Sequence, residues 1–430
     1  MKQSKHNIYY SPKEVRTILE RSIDTALDGL KGYCNDPVSD FTRCRKLPAR
    51  TLIECIMSFS NYSSIGELSH FFVGHGEMPS ASALSQRRQL LDPDIFKRIN
   101  NLFVSAFDDH TTINGYHILA QDGSDVNIPF MDDKTKTEKH DAKSFCQYHV
   151  NALYDCINKV FYDWSIDAAS KKREVNALIS ILKDRNYPQN SIFTADRGYE
   201  SYNLMAHFIE NDIKFVIRVK DIHTRSGLMT NIKTEEGAFD IRVTRTLTSL
   251  QTKEIKADKE KYIFVPTTSN FDFLDETRVF YDLSFRAVRF KISEDTYETV
   301  VTNLSEEEFK TEDFKELYHY RWNEETAFNK LKYTIGLVYF HARKRKLIQQ
   351  EINAAFLMYN VSEVIIRNID LKKNKKPELE YDYKPNFSSA VTNIRLYLRK
   401  KISMKELIHR IKKFLVAQRP ERSYERNIKG

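Results

Sequence analysis

Residues 116–124 read Tyr116-His117-Ile118-Leu119-Ala120-Gln121-Asp122-Gly123-Ser124, an apolar run closed by an acid and a glycine. Two further runs rich in aromatic and β-branched residues follow, FCQYHVNALYDC at 145–156 and VFYDWSID at 160–167. Bounded by polar turns, the three predict successive strands. A helix is expected from Lys171 to Lys183, then a short strand at Ile192-Phe193-Thr194-Ala195-Asp196, a helix through SYNLMAHFIE, and a strand FVIRVK at 215–220. Three meandering strands followed by alternating helix and strand make an α/β sheet, where ligands gather at strand ends.

Outward from this centre the pattern changes on both sides. Residues 12–105 read as helices, with apolar positions at three- and four-residue spacing in TLIECIMSF, IGELSHFF and DIFKRINNLFVSAF. Within them Ser80 to Arg88 offers serine caps followed by Arg87 and Arg88, the expected start of a DNA-contacting helix. Residues 222–304 carry strand-like runs (FDIRVTRTL, KYIFVP, RAVRFKI, ETVVTNL) without a strong helix between them, so a β-rich insertion is expected. A long amphipathic helix is predicted from near Glu312 past Lys332, followed by a helical, basic remainder with ARKRK at 342–346 and KKNKKP at 372–377.

Composition excludes several classes. The 430 residues are long enough to bury a sizeable core, and frequent Tyr and Phe with scarce Gly and Pro exclude a disordered or collagenous chain. No stretch approaches the roughly 20 apolar residues of a membrane span, and the start lacks the apolar core of a signal peptide, so a soluble cytoplasmic protein is expected. The five cysteines show no CxxC pairing and the twelve histidines no HExxH, which argues against a disulfide framework or a zinc site. Net charge is +8, yet residues 384–430 hold thirteen Lys or Arg against three Asp or Glu, a local +10 that leaves the rest near −2. A basic segment with interleaved Tyr397, Phe414 and Tyr424 suits a polyanion such as DNA.

The chemistry centres on acids. In the long helix Tyr318, Arg321, Glu325 and Lys332 fall on one narrow stripe at about 100° per residue, whereas Lys330 falls on another face. A phenol, a guanidinium and an ammonium around a carboxylate suit a phosphate beside a bound metal. The bland alternative is an Arg321–Glu325 surface pair. Asp122 and Asp196 each close a strand and are expected at its end, with Gly123 permitting a sharp turn. Asp125 is the reserve for Asp122. Two strand-end aspartates and a helix glutamate form the oxygen-only ligand set that Mg²⁺ or Mn²⁺ prefers.

Asp122-Gly123-Ser124, Asp196-Arg197-Gly198-Tyr199 and the Tyr318/Arg321/Glu325/Lys332 helix resemble the signature blocks of the DDE transposases of bacterial insertion sequences, in the branch named for its Tyr-Arg-Glu-Lys helix. Smaller similarities lie in Phe215 to Lys220, Val301 to Leu304 and Arg321-Trp322, and the resemblance covers roughly residues 40–365. It implies a ribonuclease-H-like catalytic core with a β-rich insertion between the second Asp and the Glu. It implies Mg²⁺, with Mn²⁺ as substitute, held by catalytic Asp122, Asp196 and Glu325, and a phosphate held by Tyr318, Arg321 and Lys332. The implied partners are DNA, as terminal inverted repeats and target, and a second copy in a paired-end homodimer. Both tryptophans, Trp164 and Trp322, lie outside the insertion, so any base stacking there falls to Tyr, Phe or His. The expected organisation is a helical DNA-binding region (1–110), first part of the core (111–221), insertion (222–304), catalytic helix and rest of the core (305–372) and a basic C-terminal region (373–430). The competing functions are a nuclease of the same core without strand joining, and an inactive transposase-derived DNA-binding protein.

Overall fold

The computed structural model describes residues 1–4, 9–43, 45–74, 76–108, 110–131, 133, 135–139, 142–169, 174–222, 224, 226–266, 268–269, 271–294, 296–370 and 381–418. Both KKNKKP at 372–377 and the last twelve residues of the basic segment lie outside them. Five helices come first: α1 (Pro12–Asp28), α2 (Ala49–Met57), α3 (Ser64–Phe72), α4 (Ala81–Leu90) and α5 (Asp94–Val104). Strands β1 (His117–Ile128), β2 (Lys136–Lys139), β3 (Ala142–Asp155) and β4 (Val160–Ala168) follow. Next come α6 (Glu174–Asp184), β5 (Ser191–Ala195), α7 (Tyr202–Glu210), β6 (Lys214–Val219), β7 (Phe239–Thr248), α8 (Lys253–Ala257), β8 (Tyr262–Phe264), β9 (Phe280–Ser293) and β10 (Thr296–Thr302). The last helices are α9 (Asp313–His319), α10 (Trp322–Lys330), α11 (Arg345–Arg367), α12 (Phe387–Leu398) and α13 (Met404–Lys413), and a short strand pair, Asp382–Pro385 with Leu415–Gln418, flanks the final two. No helix among the described residues is long and apolar enough to cross a membrane.

The chain divides into two units: residues 1–7 with 108–328, and residues 8–107 with 329–430. This differs from five consecutive segments, because the first and last helices belong to one unit. The first unit is mixed α/β, built on a ten-stranded sheet of order β8-β7-β9-β10-β6-β5-β1-β3-β2, with β4 also paired to β3. The β-rich stretch expected as an insertion therefore continues the central sheet, joining it where β10 pairs antiparallel with β6. β1, β5 and β6 run parallel. Parallel strands are covered on both faces, which explains why every residue of β5 is buried and why Ile118, Leu119, Ala120 and Gln121 of β1 are fully enclosed.

In the second unit α11 is the axis. It is buried along nearly its whole length and packs on α5, α1 and α2. An amide on this apolar face needs a partner. Asn360 donates to Asn100 at 2.7 Å, and Asn353 to the Pro93 carbonyl at 2.9 Å. α1 starts on a reciprocal cap: Glu14 N–H donates to Ser11 Oγ while the Ser11 N–H donates to the Glu14 carboxylate, which satisfies two backbone donors that the first turn leaves open.

Candidate active site

The parallel ladder between β1 and β5 runs from His117 opposite Ser191 to Gln121 opposite Ala195 and stops. Asp122 and Asp196 are the next residues along each chain, so the register sets the two carboxylates side by side on one face just beyond the last pair. β1 itself does not end there. It continues to Ile128 with Asp122 opposite Ala152 of β3, which corrects the expected strand end and turn at Gly123. Gly123 serves another purpose: a Cβ there would collide with the imidazole Nε2 of His149. Asp196 follows β5 and caps a short 3₁₀ turn, its Oδ1 accepting the Gly198 N–H at 2.7 Å.

Glu325 comes from α10. The single long helix expected from Glu312 past Lys332 is in fact three pieces: α9, α10, and a π-helical turn Leu331–Ile335 ended by Gly336 at φ 121°. Arg321 sits at the break between α9 and α10. Its guanidinium spans two acids, 3.1 Å from Glu325 and 3.6 Å from Asp122. It is 5% exposed, not solvent-facing. Tyr318, 1% exposed, packs against it with the guanidinium carbon 5.7 Å from the ring centroid and its hydroxyl buried without a hydrogen-bond partner, so the phenol is not offered outward. Lys332 lies in the π turn and belongs to the other unit.

The electrostatics are unbalanced. Burial first, then the charges of Asp196 and Glu325, push the Asp122 carboxyl up to about 6, against the pull of the Gly123 N–H and Arg321. Burial opposes the charge of Arg321, but Tyr318, Asp122, Glu325 and Glu324 together hold it protonated above its ordinary range. Glu324, the neighbour that the sequence pattern does not single out, is 0% exposed, and neither of its oxygens meets a well-aligned donor, the Asp122 backbone being the one near by. Burial and then Asp122 raise its pKa well above the carboxylate range. A Glu-Glu pair on a helix is the only sequence sign of it, and that sign does not tell which acid points inward.

Arg88 turns inward, against the DNA-contacting expectation, and Arg87 is half-buried. Arg88 is 2% exposed and its guanidinium is taken up by Glu351 at 2.7 Å, the Leu347 carbonyl and Gln350. Arg87 lies over the Phe41 ring and donates to the Leu47 carbonyl at 3.2 Å. Lys330 pairs with Glu363 and sits 4.4 Å from the Phe387 ring centroid, so it has work of its own in the second unit.

The model of the family described as Transposase DDE domain matches residues 113–361, more than half of the chain, including Asp122, Asp196 and Glu325. The chain belongs to the DDE transposase family. No curated sequence matches it. Among solved structures, a cryo-EM piggyBac transposase synaptic complex with hairpin DNA is similar at 11% identity and a TM-score of 0.46, covering 98% of this chain and 90% of that chain. A likeness that low carries no residue role. DDE transposases act on DNA and use divalent metal ions. Among the described residues of this transposase no three acid, His or Cys side chains converge tightly enough to ligate an ion as they stand. Arg321 spans Asp122 and Glu325 instead. The donor set nevertheless suits such an ion, because Asp122, Glu324 and Glu325 surround one guanidinium, the charge of Asp196 is felt at Asp122, and two buried oxygens of Glu324 lack a partner.

Proposed function

We propose that this transposase mobilises a bacterial insertion sequence of the Tyr-Arg-Glu-Lys branch by cut-and-paste, hydrolysing a phosphodiester at the element's end and joining the freed 3′-hydroxyl to target DNA. The observation that carries the reading is the alignment of Asp122 with Asp196 just past the last parallel pair, with Glu325 tied to Asp122 through Arg321. Asp122, Asp196 and Glu325 would hold Mg²⁺, or Mn²⁺ in its place. Bound there, a pair of such ions supplies activation of water or a 3′-hydroxyl and offsets charge on the leaving oxygen.

The chain's own residues do the rest. Arg321, gripped by Tyr318 and two acids, fixes the spacing of the Asp122 and Glu325 carboxylates in the DNA-free protein, and its fork of donors would suit a phosphate oxygen once a bound cation offsets part of the acids' charge. In the Tyr-Arg-Glu-Lys reading Lys332 would contribute a cation for DNA phosphate. The ribonuclease-H-like core, DNA ends in inverted repeats and a homodimer holding two ends complete the reading. Joining distinguishes it from a nuclease of the same core. Duplexes carrying the inverted repeats that flank the gene, incubated with the protein, Mg²⁺ and a supercoiled target, should yield end-joined product, and Arg321→Ala should reduce joining when compared at matched folded protein. Cleaved ends that are never joined would instead favour the nuclease.

A further inference from the structure

Glu174 opens α6, a helix outside the three signature blocks, yet its carboxylate reaches both aspartate-bearing segments. Oε1 stands 3.0 Å from the position that a Cβ on Gly123 would take, and Oε2 3.6 Å from that position on Gly198. Gly123 directly follows Asp122, and Gly198 is the residue whose N–H holds the Asp196 carboxylate. Larger residues at 123 or 198 would push into Glu174, His149 or Asp196 itself.

His149 orients this carboxylate. Its side chain is 2% exposed, with Nε2 3.0 Å from Glu174 Oε1 at ion-pair distance and Nδ1 2.7 Å from Asp125 Oδ1. Asp125, the reserve for Asp122, thus has a different place: it anchors His149 on β3 from across the ladder. A separate observation asks for a cation here. Glu324 lies fully buried beside Asp122 with two oxygens that no donor satisfies. A hard divalent ion takes six or more oxygen ligands, and three acids leave most of those positions to water or to further carboxylates near by.

We propose that Glu174 is a fourth carboxylate of the divalent-metal centre, held toward Asp122 and Asp196 by the Asp125–His149 pair. The inference rests on the reading of Asp122, Asp196 and Glu325 as the metal-holding acids. Its consequence is that the full-length protein takes up ions before DNA arrives, because an extra protein oxygen replaces one that DNA or water would otherwise give.

The test is Mn²⁺ binding to the DNA-free full-length protein, followed by the electron paramagnetic resonance signal of the free ion, in wild type, Glu174→Gln and Asp122→Asn. Glu174→Gln keeps the shape and an oxygen for His149 but loses the charge. It should weaken Mn²⁺ roughly tenfold or more, with Asp122→Asn weakening it at least as much. Unchanged binding in Glu174→Gln beside weakened binding in Asp122→Asn would overturn the fourth carboxylate and leave the three-acid centre standing. Unchanged binding in both would sink the three-acid centre too, and absence of binding in wild type would overturn early loading. Should Glu174→Gln fail to fold, Glu174→Asp, which keeps the charge on a shorter stem, gives the same comparison: weaker Mn²⁺ binding supports the inference and unchanged binding overturns it.

Discussion

Two buried charge clusters, one in each unit, contrast in how their carboxylates are treated. In the helical unit Glu67 and Glu351 flank His341 at 3.4 and 3.1 Å, Arg88 pairs with Glu351, and the backbone of Ser60 and Tyr62 donates to Glu67. Burial works against ionisation of both acids. Their partners outweigh it: Glu67 and Glu351 end below the ordinary carboxylate range, and His341, despite burial, is raised to about 9 by the two of them. In the sheet unit burial wins, lifting Asp122 to about 6 and Glu324 well above its usual range. Two acids with two cations make a brace; three acids around the single cation Arg321 make a place for a cation that arrives later.

The largest effect of breaking this contrast is expected in the brace. Arg88→Ala strands Glu351 without its guanidinium, and removal of one partner of a buried pair costs about 3–5 kcal/mol. Urea unfolding of the full chain should show a loss of that size. A loss below about 1 kcal/mol would show that the cluster is open to water.

The opposite sign is expected in the sheet unit. The folded pKa of Asp122, about 6, lies above the ordinary aspartate value of 3.8, so its ionised form costs the native state stability at pH 7. That cost fades as pH falls through 6 and is gone below about 4. Asp122→Asn removes it, so the metal-free variant should be more stable than wild type at pH 7, by on the order of 2 kcal/mol, with the gain shrinking toward pH 4. A destabilised Asn variant at pH 7 would mean that Arg321 already balances the site.

Lys330→Ala is a smaller perturbation but not a neutral one. Glu363, 3% exposed, is deprived of its ion partner, and a cost of roughly 1 kcal/mol follows. Melting at wild-type temperature would contradict it.

What can be read from the chain alone depends on where the partners of each residue lie. Strands and helices are legible because their apolar periodicity is local, as in Ile118 to Gln121 or Ile192 to Ala195. Asp122-Gly123 looks like a turn in sequence because the reason for that glycine, the His149 ring, comes from a strand paired across the sheet. Arg87 and Arg88 look outward-facing for the same reason: the groups that hold Arg88 inward, Gln350 and Glu351, lie 262 and 263 residues on. Spacing picks out Glu325 yet does not say that Glu324 is the buried one, since its neighbour Asp122 lies some two hundred residues earlier in the chain. Nor is 384–430 a detachable tail, because α12 buries Ala390, Val391, Ile394 and Tyr397. Truncation there would unfold more than it informs. The exposed lysines Lys405 and Lys413 of α13 are the better probes. Their replacement by Ala should lower the slope of log affinity against log salt by about 0.9 for each DNA phosphate that is no longer neutralised, and an unchanged slope would assign this helix elsewhere.

Whether Asp122, Asp196 and Glu325 cut DNA with bound divalent ions comes down to one experiment: strand cleavage of element-end duplex in Mg²⁺, measured for Asp122→Asn, Asp196→Asn and Glu325→Gln beside wild type at matched folded protein. Each variant should still bind the duplex, and none should cleave it. Cleavage at the wild-type rate by any one of the three would remove that residue from the metal centre and contradict the three-acid site.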